Sequence, residues 1–314
     1  MGTEQEGSMH NFMIGLYGGF EEEKYRRDFR KGFYGIEACL FEAEEEVEKL
    51  IREAKRNAFQ IGIHFPIRSD ETRLRDALFL AQDERVRQDA YDYIQQQLDI
   101  IGKIGPDYVL FHYPKPVLLD DRVNWDKWRF AAREEYVFES EYDYSELVVK
   151  SERLFAWLHN KANEYSFTPV LEFDALNRYV YEEDFLESLL CRYANIKLCL
   201  DTGRLFMQEK IDPSFDARAV LNRYAKYAKL VHLWNVQFTD SFAFSRYPAL
   251  PHCRPEDGWA PIEDYLNLIT AHNPDITIMF EHRSDWITEE ELQTCYQWID
   301  QIVNKKSPLP AGEH

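Results

Sequence analysis

Short apolar runs recur along the chain at fairly regular spacing, at residues 12–17, 35–41, 59–65, 108–112, 169–173, 196–200, 230–233 and 276–280. Most are nearly continuous in apolar residues, the pattern of strands buried on both faces in a parallel sheet. Between them the period changes to that of a helix. Residues 44–57 place Val47, Leu50, Ile51 and Ala54 on one face and charges on the other, and residues 86–104 do the same with Ala90, Ile94, Leu98 and Ile101. Further helices are predicted at 21–30, 144–165, 182–193, 214–228, 261–271 and 288–303. Pro213 and Pro261 suit first-turn helix positions, and Thr288 followed by Glu291 reads as a capping box. Strands alternating with helices in this way fit an α/β fold, a single-domain (β/α)8 TIM barrel, better than an open doubly wound sheet. The barrel is expected over residues 11–306, between a polar tail at 1–10 and a second tail at 307–314. A long segment after the fourth strand, 117–143, is rich in Trp, Tyr, Phe and charge; it reads as a partly ordered insert over the barrel mouth.

Composition narrows the function classes. An apolar content of 45% with only 13 Gly and 13 Pro allows a sizeable core. A formal charge of −19 argues against a general nucleic-acid binder, which must cluster Lys and Arg against phosphates, and against an anionic membrane surface. No apolar run approaches the roughly 20 residues of a membrane span, and the N-terminal stretch has no signal-peptide pattern. Cys39, Cys191, Cys199, Cys253 and Cys295 include no CxxC pair, so neither a disulfide framework nor a thiolate zinc site is suggested. A reducing cytoplasm is the expected compartment. No GxGxxG or GxxxxGK[ST] follows the first strand, so a nucleotide-binding fold has no motif behind it.

In a TIM barrel the chemistry lies where the strands end at their C-terminal side. Here the third strand ends in Gly62-Ile63-His64 and the fourth in Leu110-Phe111-His112. The fifth offers Leu171-Glu172-Phe173, the sixth Leu200-Asp201-Thr202, the seventh Val231-His232-Leu233 and the eighth Phe280-Glu281-His282. Any one of these is more often a hydrogen-bonded structural residue or a helix cap than a ligand. Together they change the balance, because converging ionisable groups repel and desolvate one another unless a cation offsets the cost. Oxygen and imidazole donors without thiolate suit Mn²⁺, Mg²⁺, Co²⁺ or Zn²⁺.

The set Glu172, Asp201, His232 and Glu281 resembles the metal quartet of the xylose-isomerase-like barrels. That superfamily includes sugar phosphate isomerases/epimerases, ketose 3-epimerases and endonuclease IV. Glu172 followed by Leu176-Asn177-Arg178 resembles the Glu…Leu-Asn-Arg stretch of the ketose epimerases, with extra residues between. His252…Pro255-Glu256-Asp257-Gly258 is similar to the family's His…Pro-Gly-x-Gly loop after the seventh strand, without its first Gly. Two positions depart from the pattern. Asp201-Thr202-Gly203-Arg204 stands where the family usually has Asp-x-x-His, and Leu250 where endonuclease IV has an Asp helping to hold a third zinc. His64 and His112 stand where endonuclease IV takes two imidazole ligands for another zinc.

The resemblance implies a metal-dependent sugar or sugar-phosphate isomerase or epimerase. Glu172 and Glu281 would be its acid/base pair as well as ligands, moving a proton through a metal-stabilised enediolate, and Asp201 and His232 would complete the cage. His64 and His112 would hold a second metal with Glu172, or hydrogen-bond the substrate. Arg178 and His252 would bind substrate. Arg68, Lys115, Arg178, Arg204, Arg246, Arg254 and Arg283 all follow strands three to eight, which suggests an anionic substrate unless they are salt-bridge partners. Arg204 is expected over the mouth, neutralising a substrate phosphate or carboxylate, with a salt bridge to a ligand carboxylate or to Glu209 as the competing reading. Trp234 and Trp259 are candidates for stacking on a sugar ring, against ordinary aromatic packing. Two alternatives stay open: an endonuclease IV-like phosphoester hydrolase, and a non-catalytic binding barrel. Homo-oligomerisation is compatible with either.

Overall fold

The period-2 alternation of side chains along a strand decides what this barrel holds. A computed structural model describes residues 9–304, so the tails expected at 1–10 and 307–314 lie outside the described residues except for Met9 and His10. Eight parallel strands close on one another in the order β1 (Phe12–Tyr17), β2 (Gly35–Cys39), β3 (Gln60–His64), β4 (Tyr108–Tyr113), β7 (Thr168–Phe173), β8 (Lys197–Asp201), β9 (Ala228–Leu233) and β12 (Thr277–Phe280), with β12 pairing back to β1. The protein is a (β/α)8 TIM barrel.

Alternate residues of each strand face opposite ways. Phe12, Ile14, Val109, Phe111, Leu171, Leu198, Leu200 and Val231 pack outward in the large cluster shared with the helices. Met13, Tyr108, Leu110, Val170, Cys199, Leu230 and Met279 form a separate small cluster inside the barrel. Two residues further along their strands, and so on the same inner face, come Glu172, Asp201, His232 and Glu281, with His112 above Leu110. The apolar plug therefore sits directly beneath a polar layer, and one register fixes both.

Room inside is created by glycine. A Cβ at Gly62 would stand 2.2 Å from Cζ of Tyr108, so the missing side chain is the space that the Tyr108 ring occupies. The Tyr108 hydroxyl reaches over Gly62 of β3 to donate to Glu37 Oε2 of β2 at 2.7 Å.

The surrounding helices include α1 (Glu22–Asp28), α2 (Glu44–Asn57), α3 (Glu84–Ile104), α4 (Tyr144–Tyr165), α9 (Ile262–His272) and α10 (Glu289–Val303). Thr288 and Glu291 cap α10 reciprocally, as the sequence suggests. Other boundaries differ. The helix expected over 182–193 is the shorter α6 (Phe185–Arg192), and a one-turn α5 (Arg178–Tyr181) precedes it. The helix expected over 214–228 is α8 (Ala217–Tyr224) followed by a 3-10 turn, Ala225–Tyr227. Pro213 lies in the turn ahead of α8, whose cap is Asp216, accepting from Arg218 N at 2.9 Å; Pro261 occupies the cap position of α9 itself. A further helix, α7 (Thr202–Ile211), springs straight from β8 because Asp201 accepts a hydrogen bond from Arg204 N at 2.8 Å. After β9 the chain forms an antiparallel hairpin, β10 (Asn235–Phe238) and β11 (Phe242–Tyr247), that the apolar pattern does not show.

Within the insert, β5 (Val117–Leu119) and β6 (Tyr136–Phe138) pair in parallel, over a small core of Val117, Leu119, Trp125, Trp128 and Ala175. Among the described residues no helix is long and apolar enough to cross a membrane.

Gly62→Ala should cost about 1–3 kcal/mol through overpacking against Tyr108. Chemical denaturation will read this as a lower midpoint, and the double variant with Tyr108→Leu should lose less than the two single variants combined.

Candidate functional site

Glu172 lies at the centre of the polar layer, fully enclosed. Its Oε1 is 3.2 Å from His232 Nδ1 and 3.6 Å from Arg204 Nε. Its Oε2 is 3.0 Å from His112 Nε2 and 3.3 Å from His64 Nε2, neither contact being aligned as a hydrogen bond, so that oxygen is shielded from solvent without a directed partner. Burial raises a carboxyl pKa, but His232, His112 and Arg204 outweigh it and hold Glu172 well below the usual carboxylate range.

Around this centre, one donor atom each from Glu172, Asp201, His232 and Glu281 lie within 4.8 Å of one another. The same holds for His64, His112 and Glu172. The Oε2 of Glu281 is also shielded and unpartnered, while its Oε1 pairs with Arg246. Asp201 is shifted the other way from Glu172: burial and the charges of Glu281 and Glu172 push its pKa up to about 7.

Each ring is oriented from behind. His232 Nε2 donates to Glu37 Oε2 at 3.1 Å, which aims Nδ1 at Glu172 and at Glu281, 3.7 Å away. Burial opposes a charge on His232, but the Cys199 sulfur, Glu37 and Glu172 raise its pKa well above the ordinary value. His112 Nδ1 donates to Asp76 at 2.9 Å and His64 Nδ1 to the Phe65 carbonyl at 3.0 Å, so both present Nε2 inward. Asp76 is held in turn by Lys115 at 2.8 Å, and Lys115 bridges to Asp174 at 2.9 Å. Carboxylates behind histidines are the outer layer typical of metal-ligating imidazoles.

The comparisons bear on this arrangement. Neither a family model nor a curated protein matches the sequence. Solved structures do match. The TTHB071 protein from Thermus thermophilus, soaked with ZnCl2, has a TM-score of 0.58 and 17% identity over 95% of this chain and 100% of its own. The 3-keto-D-glucoside 4-epimerase of E. coli has a TM-score of 0.56 and 14% identity, covering 92% and 98% of the two chains. A xylose isomerase-like TIM barrel protein from Mycobacterium smegmatis, in complex with magnesium, has a TM-score of 0.55 and 12% identity, covering 90% and 87%.

The chain has the xylose isomerase-like barrel fold.

Within this xylose isomerase-like barrel, several residues expected to bind substrate are placed elsewhere. Arg204 does not reach over the mouth as a spare cation. Its Nη1 donates to Asp174 at 2.8 Å and its Nε lies 3.5 Å from Asp201 Oδ2, so three carboxylates, counting Glu172, already surround its charge. Its Nη2 is 3.4 Å from His112 Nε2. Arg178 donates through Nε to Glu139 at 2.8 Å, and Asn177 reaches the same carboxylate. The Leu-Asn-Arg stretch thus fastens the insert to the loop after β7 and stays out of the site. Trp234 is buried, donates through Nε1 to Asp201 Oδ2 at 3.0 Å, and has Arg246 5.5 Å over its ring; it positions Asp201 and offers no face for a sugar. His252 stands on an exposed turn. Trp259 stacks with Phe244, ring centres 5.7 Å apart. Most of the rim cations are also occupied: Arg246 by Glu281, Arg254 by Asp257 and Arg283 by Asp285.

Sequence reasoning misses other members of the site, and only Glu37, within an apolar strand, carries a periodicity signal. Glu37, Asp76, Asp174 and Arg75 fall in mid-strand or in loops, and only the fold brings them to the layer. The insert also contributes, since Trp128 Nε1 donates to Asp174 at 3.3 Å and so closes one wall.

His282, next to Glu281, has both ring nitrogens buried and unpartnered. Burial, with Lys24 and Arg27 outweighing Asp28, lowers its pKa to about 3. The depressed value means that the unfolded chain takes up a proton first, so this contribution to stability is complete above pH about 6.5 and is lost as pH falls towards 3. Stability curves between pH 7 and 5 should show His282→Phe, which keeps the packing against Phe280 and Tyr296, escaping a loss of up to about 1.4 kcal/mol per pH unit.

Proposed function

We propose that the protein is a divalent-metal-dependent sugar isomerase or epimerase that moves a proton on a carbon next to a carbonyl. The observation that carries this reading is the pair of shielded, unpartnered carboxylate oxygens, Glu172 Oε2 and Glu281 Oε2, in one cluster with Asp201 and His232. Buried carboxylate oxygens without partners cost several kcal/mol unless a cation or proton satisfies them. The donor set, three carboxylates and one imidazole, fits a hard or borderline divalent ion. Glu172, Asp201, His232 and Glu281 would hold it. Such an ion would polarise a substrate carbonyl and its neighbouring hydroxyl and so stabilise the enediolate left by proton loss.

The chain's own residues would do the rest. Glu172 and Glu281 are the two carboxylates free to take and return the proton. Glu37 fixes His232 with Nδ1 facing the cluster. Arg204 and Trp234 hold Asp201. The neighbouring structures include epimerases and proteins with bound zinc or magnesium, which supports the general class.

His64, His112 and Glu172 would favour a second metal and hydrolysis. Against that, Arg204 Nη2 lies 3.4 Å from His112 Nε2, and Arg75 Nη2 lies 3.5 Å from His64 Nε2. Permanent cations against both rings disfavour a second ion there.

Elemental analysis of the purified protein should find one divalent ion per chain. Incubating that protein with ketoses in deuterated water should place deuterium on the carbon beside the carbonyl. Glu172→Gln and Glu281→Gln should each lower turnover by about 10²–10⁴-fold. Two zinc ions per chain with phosphoester hydrolysis and no deuterium exchange would reject the reading. Separately, Glu37→Gln should weaken metal binding by about 10–100-fold in a chelator competition while leaving the melting temperature in excess chelator near that of the parent.

A further inference from the structure

A cavity of about 690 Å³ opens beside the polar layer, between β1, β2 and β12, and Glu37, His64 and Glu281 reach its wall. That is a typical size for a small-molecule site. Five permanent cations line it: Lys24, Arg27, Arg75, Arg246 and Arg283. Four have a carboxylate within salt-bridge distance, Lys24 and Arg27 sharing Asp28, Arg246 with Glu281 and Arg283 with Asp285. Among the described residues Arg75 has no such partner.

The surroundings of Arg75 make this unusual. It stands in the loop between β3 and α3, with Nη2 3.5 Å from Cys39 Sγ and 3.5 Å from each ring nitrogen of His64. Its guanidinium lies 5.7 Å from the Tyr17 ring centre, and its Nε is shielded from solvent with nothing to donate to. A sulfur, an imidazole and a ring face are weak partners for a group with five donors and a permanent charge. The adjacent Asp76 is engaged by His112 and Lys115. Keeping a guanidinium here without a counter-ion is costly, and an anion entering the cavity would remove that cost through charge-assisted, forked hydrogen bonds.

We propose that Arg75 anchors an anionic group of the substrate, a phosphate ester or a carboxylate carried by a keto sugar. The inference rests on the reading of the Glu172 cluster as the place where the carbonyl end reacts. The geometry suits one small molecule spanning both: Arg75 touches His64, whose Nε2 is 3.3 Å from Glu172 Oε2. It also relocates the substrate's charge from Arg204, whose own charge is already met by three carboxylates, to the one cation on the cavity wall that lacks a carboxylate.

The test is calorimetric titration of the metal-loaded full-length protein with two matched pairs, D-ribulose 5-phosphate against D-ribulose and D-fructuronate against D-fructose. In at least one pair the anion should bind about tenfold or more tightly than its neutral partner, the scale of a charge-assisted hydrogen bond. Which pair shows the preference distinguishes phosphate from carboxylate. Arg75→Gln should abolish the preference without changing the neutral sugar's affinity or the metal content, and Arg75→Lys should retain part of it. Equal affinities within both pairs, no binding by either anion, or a preference that survives in Arg75→Gln overturns the proposal; if Arg75→Gln does not fold, full retention in Arg75→Lys and in Arg75→Met does so. The outcome is separable from that of the proposed reaction. An Arg75-dependent preference without deuterium exchange sinks the chemistry and leaves the anchor, and exchange on neutral ketoses alone does the reverse.

Discussion

A single buried carboxylate organises the barrel mouth. Glu172 has imidazoles from β3, β4 and β9 and the guanidinium of α7 gathered around it. An ionised carboxylate taken out of water needs compensation on every side, and each compensating group has its own requirement. His232 needs Glu37, and Glu37 draws in Tyr108 from β4, across the intervening β3. His112 needs Asp76, Asp76 needs Lys115, and Lys115 bridges to Asp174. Asp174 then takes hydrogen bonds from Arg204 and from Trp128 of the insert. Five barrel strands, a helix, three loops and the insert are fastened to one another through this chain of contacts. Gly62, one layer beneath His64 on β3, belongs to the same argument, because it makes the room that lets Tyr108 reach Glu37.

The parts of this that are legible in the sequence are those that depend on strand periodicity. A run such as Val-Leu-Glu-Phe or Val-His-Leu declares both a strand and the face on which its polar residue stands, so Glu172, Asp201, His232, Glu281, His64 and His112 can be read directly. Glu37 obeys the same rule, in Gly-Ile-Glu-Ala-Cys, but lies two residues before the end of its strand, where a lone acid reads as an edge residue. Asp76, Arg75 and Asp174 sit in loops, whose course no periodicity fixes. The long side chains are less legible: the sequence leaves Arg204 between a substrate anion and a salt bridge to a ligand carboxylate, and Trp234 between a sugar ring and packing, and in both the second is found. Arg178, His252, Trp234 and Arg204 stand at the right places in the order of elements, yet order does not say which atom a long side chain meets. Glu139 of the insert captures Arg178, Asp174 captures Arg204, and Asp201 captures Trp234. In each case the partner comes from a carboxylate-rich background that offers many equivalent choices. The extra helix of the β8 unit escapes the pattern for a related reason: α7 starts on the residue next to the strand's last, so one Asp serves as strand end, candidate ligand and helix cap.

The charge balance of the connected cluster bears on how many ions it could take. Contacts within 4 Å link six carboxylates, Glu37, Asp76, Glu172, Asp174, Asp201 and Glu281, to four permanent cations, Arg75, Lys115, Arg204 and Arg246, through three imidazoles. With the imidazoles neutral, the cluster is short of two positive charges. The protein alone offsets the deficit with protons, which is the physical content of the raised pKa values at His232, at His64, about 10, and at Asp201, about 7. One divalent ion would supply both charges and release those protons, so its affinity would rise with pH. A second divalent ion would turn the deficit into an excess of the same size, against two arginines that cannot give up a proton. Arg204, standing where the resembled Asp-x-x-His pattern would put a histidine, is therefore more than the absence of one imidazole: it installs a fixed charge beside Glu172, Asp174 and Asp201. It also leaves the cation at Arg75 as the balancing charge most easily drawn off by an incoming anion, because no carboxylate competes for it at contact distance.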